Sequence, residues 1–148
     1  MWTSSLPHPA PPVCQNAAAR LIFRIRRSEH ISPALISLHW LRVPERISFK
    51  LAVLTYRSIH GTGSKYLQSC FTRVADTTSR QRLRSSSSHH LAVPRVHLST
   101  VGKRAFSASG ATVWNDLPSH VTSAPSLAIF RQRLKSFLFS QSYSDIHV

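Results

Sequence analysis

A chain of 148 residues, 42% hydrophobic, has the length of one ordinary domain and enough apolar residues to bury a core. Its 19 Lys plus Arg against five acids leave a net charge of +14, a surplus that repels itself unless an anion is near, so nucleic acid or an anionic surface is the expected partner class. The five acids, Glu29, Glu45, Asp76, Asp116 and Asp145, stand apart in sequence, which argues against a two-metal polymerase or nuclease centre.

Arg supplies 15 of the 19 cations, and its planar fork pairs with phosphate and stacks on bases, which again favours nucleic acid. The plain alternative is that compensating acids belong to another part of a larger protein. Cys14 and Cys70 make no disulfide framework and fit a reducing compartment, so an intracellular location, nuclear or cytoplasmic, is expected. The opening MWTSSLPHPAPP has neither a basic n-region nor an apolar h-region, and no apolar run approaches roughly 18 residues, so neither a signal peptide nor a membrane partner is expected. Four prolines before residue 13 argue against a mitochondrial transit helix.

In chain order, residues 1–12 are Pro-rich and expected to be disordered. From Val13 the spacing predicts an amphipathic helix with Val13, Ala17, Ala18, Leu21, Ile22 and Ile25 on its apolar face, and Arg20, Arg24 and Arg27 as a basic stripe. Ser32-Pro33 opens a short segment with Leu35, Leu38, Trp40 and Leu41 as core candidates. Val43 to Gly61 has the strongest signals: Pro44 and Glu45 suit a first helical turn, and Gly61 suits a left-handed stop. Its wheel shows two apolar arcs, Ile47/Leu51/Leu54 and Phe49/Ala52/Val53/Tyr56/Ile59, so neighbours are expected on two sides; Arg46/Lys50/Arg57 form a narrow basic stripe, with Ser48 and Thr55 between the arcs. Ser64 can cap a brief helix carrying Tyr66, Leu67, Cys70 and Phe71, completing a helical unit over 13–72.

Residues 73–90, with Arg80, Arg82, Arg84 and four consecutive serines, read as a disordered linker or arm. Around Pro94 a minor edge β-ribbon is the most that is expected of Leu91 to Leu98. The segment 91–143 then adds a short helix over Ser107 to Trp114, in which Gly110 costs about 1 kcal/mol relative to Ala. An aromatic anchor and turn follow from Trp114 to Pro118. A last helix carries Leu127, Phe130, Leu134, Phe137 and Leu138 on one face and Arg131, Arg133 and Lys135 around the rest; residues 144–148 are a tail. The expected fold is mainly α, a small helical bundle with a disordered Ser/Arg-rich linker.

Specific chemistry is sparse. His89-His90 lacks zinc-ligand spacing and nearby thiols, Gly61-x-Gly63 opens no phosphate-cradling helix, and Cys70 beside apolar neighbours reads as inert packing despite His60 upstream. No metal site, cofactor or catalytic group is expected. The nucleic-acid candidates are Arg20, Arg24, Arg27, Arg46, Lys50, Arg57, Arg80, Arg82 and Arg84, with Trp40 and Tyr66 as stacking groups. Core packing is the ordinary reading for Trp40, Tyr66 and Trp114, and a solvated face the ordinary reading for the stripes.

Five blocks in order, QNAAARLIFRIRR, ALISLHWLRVPERISFKLAVLTYRSIHG, LRSSSS, VPRVHLSTVGKRAFSASGATVWNDLPSHV and SAPSLAIFRQRLKSFLF, carry a resemblance that runs from about Gln15 to Tyr143. The chain resembles the C-terminal region of the endonuclease and reverse transcriptase polyprotein of non-LTR, LINE-type retrotransposons. The resemblance implies the thumb and helical extension that follow the polymerase palm, hence a role in holding template and primer and not in catalysis. The family's endonuclease and its aromatic-Ala-Asp-Asp turn have no counterpart here, and Thr62-Gly63-Ser64-Lys65 replaces its usual Ala-Pro-rich turn before Tyr66-Leu67. The expected function is that of a non-catalytic fragment with at most nonspecific binding of RNA, DNA or their hybrid. A module whose exposed apolar faces dock on a partner protein, or a translated relic without function, are the alternatives.

Overall fold

The computed structural model describes residues 11–76, 89–96 and 101–144. It is mainly helical, with α1 Pro11–Phe23, α2 Ser32–Ser37, α3 Val43–Ile59, α4 Lys65–Gln68, α5 Phe106–Asn115, α6 Ser119–Thr122 and α7 Leu127–Ser142. Two 3-10 turns, Val74–Asp76 and Gly102–Arg104, supplement them. The Pro-rich start to residue 10, the Ser-rich stretch 77–88 and the last four residues lie outside the described residues. The chain divides into two compact units, Met1–Arg46 with Leu138–Val148, and Ile47–Phe137, so the division falls inside α3 and inside α7.

In the first unit, α1 and α2 are closed at their ends by the chain's own chemistry. Helix α1 stops because Arg24 takes a left-handed conformation (φ 53°) and the Ile25 N–H returns to the Arg20 carbonyl at 3.0 Å. Helix α2 ends the same way, with His39 left-handed (φ 52°), its N–H on Ile36 O and the Trp40 N–H on Leu35 O, both at 2.9 Å. Ala19, Ala34, Leu35 and Tyr143 form the buried cluster, with Ile25, Ile31, Ile36, Leu38, Trp40 and Phe139 packed around it. The Tyr143 hydroxyl donates to Trp40 O at 2.7 Å, and the Arg42 guanidinium lies 4.9 Å from the centre of the Tyr143 ring.

The expected apolar face of α1 is corrected. Leu21 and Ile22 are exposed, and the side turned inward carries Ala19 and Gln15, whose amide donates to Leu41 O at 2.7 Å. Only one end of that amide is satisfied: Nε2 has the Leu41 carbonyl, while Oε1 is buried without a partner among the described residues, so the inward place of Gln15 carries a desolvation cost. The supposed helical stripe of Arg20, Arg24 and Arg27 is corrected with it, since α1 ends at Phe23 and only Arg20 lies on it.

The second unit is organised around three stacked aromatics. Tyr56 of α3 lies 4.5 Å from Phe130 of α7, centre to centre, and Trp114 of α5 lies 5.8 Å from Phe130. Two of the three tether a polar atom: Tyr56 donates to Ala124 O at 3.1 Å and Trp114 Nε1 to His89 O at 2.8 Å. Of the two arcs on α3, the second is the more deeply buried, and in the first only Leu51 is half-buried. Ala52, Val53 and Tyr56 are buried together with Thr55 and Ser58, while Ile47 and Leu54 of the first arc are exposed. Gly61 supplies the expected stop, at φ 71° with the Thr62 N–H on Arg57 O at 2.9 Å. The α7 face holds as expected, with Phe130 and Leu134 buried and Phe137 half-buried in this unit and Leu138 buried in the first.

Where an edge ribbon was the most expected, the described residues contain one antiparallel bridge, Arg73 with Leu91. Val74 N–H reaches His90 O at 3.0 Å and Ala92 N–H reaches Thr72 O at 2.8 Å. The other edge of Leu91 meets a side chain: Asn115 accepts from the Leu91 N–H at 2.8 Å and donates to the Leu91 carbonyl at 2.9 Å. One amide thus stands in for a second strand, and Leu91 is buried between the two.

Candidate nucleic-acid interface

Nucleic-acid contact requires cations that reach solvent without being committed to the fold. Arg20 fails that requirement. Its guanidinium donates to the carbonyls of Arg26 and, at 2.9 Å, of Glu29, so it braces the turn after α1. Arg24 and Arg27 lie in that turn and are exposed, as is Arg26, which the sequence reading passed over because it does not fall on a helical stripe. The adjacency of Arg24, Arg26 and Arg27 was the available signal, in turn geometry and not in a 3.6-residue period.

On α3, Arg46, Lys50 and Arg57 fall on one line of the helix and are all exposed, with exposed Ile47 and Leu54 along one side of it. The basic line is thus flanked by exposed apolar surface. Arg57 also reaches Thr62 O at 3.4 Å, a long contact that leaves its fork largely open. Arg80, Arg82 and Arg84 lie outside the described residues. Elsewhere in the second unit Arg131, Lys135 and Arg133 of α7 are exposed, Arg133 donating to His120 O at 2.7 Å.

The aromatics divide. Trp114 is buried core and Trp40 is half-buried against the first unit's cluster, as expected of packing residues. Tyr66 is corrected: it is 79% exposed, because the single turn of α4 buries none of its residues. His60 stacks on Tyr56 at 4.1 Å, and burial first, then the Arg73 and His89 charges, hold its imidazole below the usual histidine value. Tyr143 moves the other way, burial raising its hydroxyl above the ordinary value while Arg42 opposes the shift.

Cys70 directs its Sγ to Tyr66 O at 3.4 Å and is half-buried; Cys14 is exposed. Among the described residues no three His, Cys, Asp or Glu stand close enough to hold a metal ion, and no helix is long and apolar enough to cross a membrane. No family model, curated protein or solved structure matches the chain.

Proposed function

We propose that the chain is a non-catalytic part of a LINE-type reverse transcriptase that holds nucleic acid, RNA–DNA hybrid above all, through phosphate contacts without sequence preference. The observation that carries this reading is the net charge of +14 together with the exposure of Arg24, Arg27, Arg46, Lys50 and Arg57. Each phosphate contact contributes about −0.9 to the slope of log affinity against log salt, so these five residues set a slope of about −4.5 when all engage. Fluorescence anisotropy of a labelled hybrid across a salt series measures it. Lys50→Glu with Arg57→Glu is expected to flatten the slope by about two units or more. Absence of binding at low salt removes the reading.

Exposed Ile47 and Leu54 favour a second reading, in which α3 docks on a partner protein. A monomeric chain that unfolds cooperatively and does not bind ANS counts against that docking, and against a relic that does not fold.

A further inference from the structure

Tyr66 is the most exposed aromatic side chain among the described residues, and it stands apart from other apolar surface. Between Leu54 and Val93 no other large apolar residue among those described is exposed. Its exposed neighbours in the chain, Thr62, Ser64, Lys65 and Ser69, are all polar. The backbone that carries the ring is braced. Gln68 Nε2 donates to Gly61 O at 3.2 Å and to Gly63 O at 2.8 Å, and the Gly63 N–H donates to Arg57 O at 2.8 Å, so α4 is fastened to the end of α3. Ser69 Oγ and Cys70 Sγ both donate to Tyr66 O, at 2.8 Å and 3.4 Å. A flat partner that stacks on this ring therefore orders little more than one side chain.

The surroundings are cationic. Lys65 is exposed beside Tyr66, and the Arg57 guanidinium lies 3.4 Å from Thr62 O. The chain from Thr62 to Tyr66 spans at most about 14 Å. Between Glu45 and Asp76 the sequence contains no acid. A flat apolar face set among cations fits an anionic partner that carries flat faces of its own. A nucleobase on its phosphodiester is such a partner: the ring stacks on the base and the cations take the phosphates. Inside a duplex both faces of a base are covered by its neighbours, so the ring selects unpaired nucleotides. A protein partner would bury a cluster around the Tyr, and an anionic bilayer would take an apolar stripe along a helix. One ring among hydroxyls and cations supplies neither.

We infer that Tyr66 is a stacking platform for an unpaired base, with Arg57 and Lys65 on the adjoining phosphates. The inference rests on the nucleic-acid reading above and adds to it the form of the ligand, a hybrid that carries a single-stranded extension.

The test uses the full chain and two labelled RNA–DNA hybrids with single-stranded extensions of equal length, one bearing bases and one abasic, so that the phosphates are the same in number. By fluorescence anisotropy the wild-type chain is expected to favour the base-bearing extension by about fivefold or more. Tyr66→Ala is expected to reduce that preference to less than about twofold while binding the abasic hybrid as before, and Tyr66→Phe to keep it, because stacking uses the ring. A 2-aminopurine in the extension is expected to change its fluorescence with the wild-type chain and the Phe variant, and not with the Ala variant. Since α4 buries none of its residues, both variants are expected to keep the wild-type urea midpoint. Equal affinity of the wild-type chain for the two extensions, or a preference that survives in Tyr66→Ala, overturns the platform and leaves binding through phosphates standing. Loss of the preference in Tyr66→Phe as well assigns it to the hydroxyl and also overturns stacking. No binding to either hybrid at low salt removes the platform together with the reading beneath it.

Discussion

Asn115 shows how much of this fold rests on single side chains. Its amide meets both backbone groups of Leu91, so truncating it strands a donor and an acceptor next to a buried residue. Asn115→Ala is expected to destabilise the chain by about 1–3 kcal/mol, read from urea unfolding. Asn115→Asp keeps the acceptor but loses the donor to Leu91 O, and is expected to be nearly as damaging. An unchanged midpoint in both variants would show the clasp to be idle. Sequence reading placed an aromatic anchor and turn at Trp114 to Pro118 but gave Asn115 no role. Its partner is 24 residues away, and no local period marks such a pairing.

At the scale of elements, α3 and α7 were legible because both carry long periodic faces, and α3 also writes its start and stop in Pro44 and Gly61. Which of two apolar arcs turns inward was not legible. That choice depends on neighbours distant in sequence, here Trp114 and Phe130 on Tyr56. Helix α6 was missed because one turn carries too few residues to show a period. Gly110 looked like a weakness in α5, and the packing gives it a reason. A Cβ there would stand 2.8 Å from Thr55 Oγ1 of α3 and 2.8 Å from the Phe71 ring. Helix propensity alone would make Gly110→Ala stabilising by about 1 kcal/mol, but overpacking costs about 1–3 kcal/mol and both Thr55 and Gly110 are buried. The variant is therefore expected to lower the melting temperature, and a rise would show that the ring of Phe71 simply swings away.

For the whole molecule, charge sets the response to acid. Nine histidines add to a net charge of +14 as pH falls, and His60 adds a specific term. Its folded value lies below the ordinary value of about 6.5, so the unfolded chain binds that proton more readily. The stability it contributes is complete above about pH 6.5 and is lost as pH falls toward its lower folded value. Urea midpoints measured on either side of that window are expected to drop in acid. His60→Phe, which keeps a ring against Tyr56 and cannot protonate, is expected to drop less; an equal drop would assign the acid response to net charge alone. The sense of the global charge was plain from composition. The lowered histidine was not, because Arg73 and His89 influence it from 13 and 29 residues downstream.

The left-handed residues that end α1 and α2 are an arginine and a histidine, not glycines. Backbone sterics disfavour that conformation for any residue with a Cβ by about 1–2 kcal/mol. Replacement by glycine at positions 24 and 39 is therefore thermodynamically downhill at the backbone. Two costs oppose that gain: glycine has more freedom to lose on folding, and at position 39 it also removes the ring stacked on Phe139 at 5.7 Å. The backbone strain at Arg24 is accordingly what it costs to keep a cation, and not a bare glycine, at the exit of α1.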